Sequence, residues 1–142
     1  MYEFVDRPLA RQERGIQLFV WSMRQWAAAA KDGRCVCRLI GSAFRSAEVQ
    51  PGTDALFYGM RVLCQHGRTP MRFGAVQRAS ITEDEAILTS ALLAASDGRS
   101  HVVQSTCDAL VTEAAAPVLA ACLQALAKAF GDARLALVAQ EG

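Results

Sequence analysis

Apolar residues recur at helical spacing along most of the chain, and this periodicity constrains the fold more than any other feature. The first stripe consists of Ile16, Phe19, Val20, Met23, Ala27 and Ala30, at the i, i+3, i+4, i+7 spacing of one helix face. Similar stripes recur within residues 36–44, 56–63, 88–95, 103–114 and 119–130, separated by glycine or proline. The pattern predicts an all-α protein, a single-domain irregular bundle of five to six helices over residues 1–142, with 1–6 and 135–142 peripheral.

Composition excludes several classes of protein. Hydrophobic residues make up 52% of the 142 residues and charged residues 20%, which excludes intrinsic disorder. The formal net charge of +1 is not that of a polycation dedicated to nucleic acid. The N-terminus lacks the pattern of a signal peptide, and no apolar run approaches the roughly 18 residues of a membrane span. The sequence therefore predicts a soluble cytoplasmic protein with no membrane span.

Caps and breakers predict where the helices begin and end. We expect the first helix to begin after Asp6 and to end at Gly33, and the second to run from about Arg34 to Arg45. Thr53 is expected to cap the third helix. Residues 68–80 contain Pro70 and Gly74 and show no clear period, which predicts a loop, with a short extended piece at 71–76 left open.

The clearest local signal is the sequence Ile-Thr-Glu-Asp-Glu at residues 81–85. It predicts a capping box, in which the Thr82 hydroxyl and the Glu85 carboxylate each bond the other residue's backbone N–H. Three acids in one first turn also complement the positive end of the helix dipole. We interpret them as a helix start rather than as catalytic carboxylates.

Four residues form a candidate metal site: Cys35, Cys37, Cys64 and His66. They could supply zinc ligands if two helix ends meet. There is no C-x-x-C motif, however, and residues two apart on a helix diverge by about 200°. Cys35 and Cys37 can act together only where the chain is irregular. The sequence therefore favours a protein without cofactor and keeps a thiol- or zinc-dependent sensor as an alternative.

Charge is distributed unevenly. Residues 1–80 carry 12 basic and 6 acidic side chains, whereas residues 81–142 carry 3 basic and 8 acidic ones. The two halves could pack with complementary surfaces, or the first could display a basic face. Arg7, Arg11 and Arg14 fall at helical spacing, which keeps binding of a nucleic-acid backbone through the arginine-rich N-terminal half as a second alternative.

The first helix carries the candidate contact surface. Trp21 and Trp26 are five positions apart, about 140° around a helix, so one buried stripe does not hold both. Arginine-flanked aromatic side chains commonly anchor interfaces. The predicted contact residues are Arg14, Phe19, Trp21, Arg24 and Trp26.

No catalytic motif accompanies this surface, and the chain has 2 histidines. We therefore expect a small non-catalytic protein that binds a protein partner or itself, with a regulatory role.

Two segments, GIQLFVWSMRQW at residues 15–26 and SITEDEAILTSAL at 80–92, resemble a family of short alphaproteobacterial all-helical proteins without an assigned activity. The resemblance implies a bacterial cytoplasmic helical protein. Members of that family carry cysteines in the loop before the capping box. Residues 68–80 contain none here, so the resemblance does not support a metal site.

Overall fold

The computed structural model of the protein describes residues 4–137. Within this range the chain forms six α-helices and no strand, which confirms the predicted all-α bundle. The helices are α1 (Arg14–Asp32), α2 (Cys37–Ser46), α3 (Thr53–His66), α4 (Glu83–Ser96), α5 (Ser100–Leu110) and α6 (Ala116–Asp132). None of them combines the length and apolarity needed to cross a membrane. Residues 1–6 and 135–142 are predicted to be peripheral, but Phe4 and Leu137 are buried in the core. Residues 1–3 and 138–142 lie outside the described range.

Helix α6 is the centre of the bundle, because α3, α4 and α5 all pack against it. Its predicted stripe is buried, and Phe130 meets Phe44 of α2 edge to face with ring centroids 6.2 Å apart. Helix α3 approaches α6 closely at Gly59, where a Cβ atom would lie 3.4 Å from that of Cys122. Helix α1 packs against α3 and α4.

Helix α1 begins at Arg14, so the predicted start after Asp6 is wrong. The preceding residues hydrogen-bond to the far end of the central loop, residues 67–82, which connects α3 to α4. Asp6 N–H donates to the carbonyl of Ile81 over 2.9 Å, and Leu9 N–H donates to that of Ala79 over 2.8 Å. The backbone is extended at Pro8, Gln12 and Glu13, with ψ angles of 125°, 163° and 155°, so no helix can run through these residues into α1. Arg7 and Arg11 therefore precede α1, and the predicted helical face of three arginines does not form.

Helix α2 begins at Cys37, three residues later than predicted. The cause is the turn that ends α1. Gly33 has a left-handed φ of 72°, as its predicted cap role requires, and the Arg34 N–H donates to the Ala29 carbonyl over 2.8 Å. Arg34 thus belongs to the end of α1, and the chain needs two further residues before it can turn into α2.

Thr53 is the first residue of α3, but its side chain makes no capping bond. A short 3₁₀ turn, Gln50–Gly52, leads into the helix. Residues 67–82 form the predicted loop, and the extended piece at 71–76 does not become a strand. What holds this long loop determines the shape of the candidate site.

Candidate functional site

A buried ion pair joins α1 to α4 beneath the central loop. Arg24 Nε lies 2.8 Å from one carboxylate oxygen of Glu85, and Nη2 lies 2.9 Å from the other. Both side chains are fully buried. A paired fork of this kind is the strongest geometry available to an arginine and a carboxylate.

The ion pair also binds the loop backbone. Arg24 donates to the carbonyls of Arg78 and Ser80 over 2.7 and 2.8 Å. The two Glu85 oxygens accept the N–H groups of Gly74 and Thr82, each over 2.9 Å. These bonds occupy groups that burial would otherwise leave unsatisfied, which is the condition under which a buried pair is tolerated.

The charged form of Glu85 is favoured at this position. Burial raises the pKa of the carboxyl, but the hydrogen bonds from Arg24 and from the Thr82 and Gly74 N–H groups outweigh it and hold the pKa below the ordinary value of 4.5. The carboxylate is therefore an anchor and remains ionised near neutral pH.

The capping box reinforces the same anchor. Glu85 N–H donates to the Thr82 hydroxyl over 3.2 Å, which completes the predicted box and confirms it. The Thr82 hydroxyl also donates to the Arg72 carbonyl over 3.0 Å, and Asp84 accepts the Arg72 N–H over 2.6 Å. The first turn of α4 thus fixes residues 72–74 as well as its own start.

The anchored loop forms one wall of an open cleft of about 490 Å³; the other walls are the C-terminal halves of α1 and α3. Most of the lining is apolar and includes Trp26, Met60, Leu63, Met71 and Phe73. Two exposed cations, Lys31 and Arg68, also line it, together with Cys64. A cleft with this lining can bury an apolar group whose attached anion stays close to the cations.

The predicted contact surface on α1 is not a single surface. Phe19 is 2% exposed and Arg24 is fully buried, so both assignments to an interface are wrong. Phe19 belongs to the core stripe, and Arg24 turns inward because Glu85 lies opposite it. Arg14 and the half-buried Trp21 line a separate shallow depression of about 330 Å³, whereas Trp26 lines the cleft.

The four candidate metal ligands are not brought together. Cys35 and Cys37 are neighbours, with Sγ atoms 3.0 Å apart. Cys64 lines the cleft, and His66 is the exposed last residue of α3. Among residues 4–137, no three His, Cys, Asp or Glu side chains are grouped so that they could hold a metal ion.

The remaining cysteines are core residues. Cys107 and Cys122 are buried, as their positions on apolar stripes predict. Burial, followed by the nearby Asp108 carboxylate and Cys122, raises the pKa of Cys107 to about 12. Neither thiol is poised for chemistry at neutral pH.

Sequence reasoning missed the anchoring role of Arg24. One signal was present, because Arg24 follows Ile16 and Val20 at steps of four and so continues a row of buried residues. A charged residue on such a row needs an opposite charge inside the protein. The row does not identify that partner.

Comparison of the chain with protein families, with curated proteins and with solved structures finds no match. The resemblance to the alphaproteobacterial family stays a prediction.

Proposed function

We propose that this protein is a non-catalytic binding protein that recognises a segment of a partner protein through the cleft between α1, α3 and the central loop. One observation carries the proposal: an apolar cleft of about 490 Å³ with two cations in its lining. Ligand clefts in proteins span roughly 300–1,000 Å³. This one can receive one or two large apolar side chains.

The charge of the lining indicates which segments fit. Lys31 and Arg68 are both exposed, and they favour an acidic residue beside the apolar side chain. Charges at the edge of a binding site select partners and accelerate association. We therefore expect an acidic segment with a large apolar anchor.

Two properties of the lining support binding. The loop wall is held by Glu85 and Asp84, so little conformational entropy is lost when a ligand arrives. The half-buried Met71 supplies a flexible, polarisable contact that adapts to different side chains. No carboxylate or imidazole lines the cleft in the described part of the chain, which favours binding over acid–base chemistry.

We further infer a regulatory protein of a reducing compartment, the bacterial cytoplasm. All five cysteines are unbridged and three are exposed. Exposed thiols are maintained where glutathione or thioredoxin systems operate.

The two tryptophans allow a direct test, because Trp26 lines the cleft and Trp21 does not. The probe is a synthetic peptide with one phenylalanine flanked by glutamates, titrated into ¹⁵N-labelled protein. We expect the indole resonance of Trp26 to shift while that of Trp21 stays in place. The same peptide with lysines replacing the glutamates should bind at least about tenfold more weakly.

Charge reversal provides matched variants. Lys31→Glu should weaken binding of the acidic peptide by about tenfold, and Arg14→Glu, in the other depression, should leave it unchanged. Equal shifts of both indoles, or binding indifferent to peptide charge, would overturn the proposal. If light scattering shows a dimer with Trp26 shielded, the occupant is a second copy of this chain rather than another protein.

A further inference from the structure

Cys35 and Cys37 form an exposed pair of thiols that the cleft does not involve. Their Sγ atoms are 3.0 Å apart. On one continuous helix, side chains two positions apart would point in divergent directions. They converge here because the turn at Gly33 and Arg34 delays the start of α2, so that Cys35 precedes the helix and Cys37 is its first residue.

The two thiols are not equivalent. They share a sulfur–sulfur hydrogen bond. The side-chain and backbone hydrogen bonds from Cys37 lower the pKa of Cys35, and the hydrogen bond to Cys35, with its charge, raises the pKa of Cys37. Cys35 is therefore the thiol that ionises first, and Cys37 keeps its proton beside it.

The surface next to this pair is basic. A depression lined by Cys37, Arg38, Gly41, Ser42 and Arg45 follows the exposed face of α2. The first turn of α2 contains no acidic residue, and the Arg38 and Arg45 side chains are exposed. An anion bound along this depression therefore meets two guanidinium groups, and at its Cys37 end it meets the positive end of α2.

We propose that Cys35 and Cys37 are a redox site, oxidised to an intramolecular disulfide by low-molecular-weight disulfides that carry carboxylates. The juxtaposed sulfurs supply the dithiol, and the arginines of α2 bind the carboxylates of the oxidant. This site is separate from the cleft, so either proposal can fail without the other.

The reaction balances as two thiol–disulfide exchanges. The Cys35 thiolate attacks one sulfur of the external disulfide, forms a mixed disulfide and releases the first thiolate. The Cys37 thiol then loses its proton and attacks Cys35 Sγ, which expels the second thiolate. The dithiol loses two electrons, the external disulfide gains them, and the protons pass to the two released thiolates.

The probe is glutathione disulfide, added to the fully reduced protein at neutral pH and followed by intact-mass and peptide mass spectrometry. We expect a species lighter by two hydrogens, with the bond between Cys35 and Cys37. Cys64 is an exposed cysteine without a neighbouring thiol and serves as the internal control. It should give only a mixed disulfide.

Single variants separate the roles of the two thiols. Cys37→Ser should trap the mixed disulfide on Cys35, whereas Cys35→Ser should leave Cys37 about tenfold slower to react than Cys35 is in the parent protein. Because both positions are exposed, the variants should retain the helical circular dichroism of the parent protein. Mixed disulfides of equal yield at all three cysteines, without the intramolecular bond, would overturn the proposal.

The arginines are tested with the charge of the oxidant. Replacing both residues, Arg38→Glu and Arg45→Glu, should slow oxidation by glutathione disulfide about tenfold and leave oxidation by the uncharged 2-hydroxyethyl disulfide unchanged. Arg61→Glu, on the exposed side of α3, is the matched control. Equal slowing with both oxidants would remove the basis for an anionic oxidant.

Discussion

Arg24 and Glu85 lie 61 positions apart and connect two helices and a loop through one buried ion pair. The bonds that Glu85 accepts from Arg24, Gly74 and Thr82 are strongest when its carboxylate is charged. Replacing one partner leaves the other charge buried without compensation, which is far more costly than the loss of an exposed pair. The exposed ion pair of Lys128 and Asp132, 2.8 Å apart on α6, is the reference against which the cost of breaking the buried pair can be compared.

At the residue scale, we predict that Glu85→Gln lowers the free energy of unfolding by about 3 kcal/mol, measured by urea denaturation at neutral pH. The change leaves the Arg24 guanidinium without its negative partner. It also weakens the hydrogen bonds that Glu85 accepts from the N–H groups of Gly74 and Thr82. Asp132→Asn, which removes the exposed pair, should change the free energy of unfolding by less than about 1 kcal/mol. Similar effects from both variants would contradict the anchoring role.

The same pair predicts the response to acid. Because the pKa of Glu85 is lowered in the folded protein, the unfolded chain takes up this proton at a higher pH. The contribution of Glu85 is therefore complete above its ordinary pKa of 4.5 and is lost as the pH falls through the lower folded-state value. Urea midpoints measured from pH 7 downward (roughly to pH 3) should fall more steeply for the parent protein than for Glu85→Gln. Parallel curves would contradict this assignment.

At the scale of elements, Gly74 in the central loop has no room for a side chain, whereas Gly41 in α2 has room for one. A Cβ atom at Gly74 would lie 2.8 Å from Arg78 Cδ and 3.1 Å from Arg24 Cζ, so the loop can pass over the guanidinium only without a side chain. At Gly41, inside α2, a Cβ atom would meet nothing within 4 Å. Close packing therefore determines the effect of a side chain at Gly74, and helix propensity determines its effect at Gly41.

We therefore predict effects of opposite sign from the same substitution. Gly74→Ala should lower the free energy of unfolding by about 1–3 kcal/mol, because the loop or the buried arginine must shift. Gly41→Ala should raise it by about 0.5–1 kcal/mol, since alanine loses less backbone entropy on entering a helix. Thermal or urea denaturation measures both. Destabilisation by Gly41→Ala would show that α2 contains a constraint beyond those described.

At the scale of the whole molecule, the charge asymmetry between the two halves is mostly displayed on the surface. Within residues 4–137, the buried pair of Arg24 and Glu85 is the one salt bridge that joins the basic half to the acidic half. The other pairs are local and exposed. Complementary packing of charges therefore does not explain the asymmetry.

The buried pair also predicts that the central loop unfolds together with the bundle. The amides of Gly74 and Thr82, although they lie in a loop, should exchange hydrogen within about tenfold of the slowest amides of α1 and α4. The reason is that both donate to a fully buried carboxylate. The amide of the exposed Thr69, for which no hydrogen bond is formed within residues 4–137, should exchange faster. Rapid exchange at Gly74 beside protected helices would show that the loop opens independently.

The sequence by itself determined the features that depend on residues close together in the chain, namely the fold class, the helix caps and the buried helix faces. The all-α class, the Gly33 cap and the capping box at Thr82 and Glu85 are confirmed. The first core stripe is buried as far as Met23, whereas Ala30 is exposed. Each depends on periodicity or on contacts within about one helical turn, which a linear sequence records directly. The site was predicted in part, since Trp26 lines the cleft but Phe19 does not.

Only the tertiary structure decided which distant residues meet. Whether Arg24 faces solvent or the core depends on Glu85, and periodicity contains no information about that pairing. The convergence of Cys35 and Cys37 depends in the same way on how the end of α1 sets the start of α2. The physical reason is that burial of a charge, or the meeting of two thiols, is determined by the packing of elements and not by the propensities of their residues.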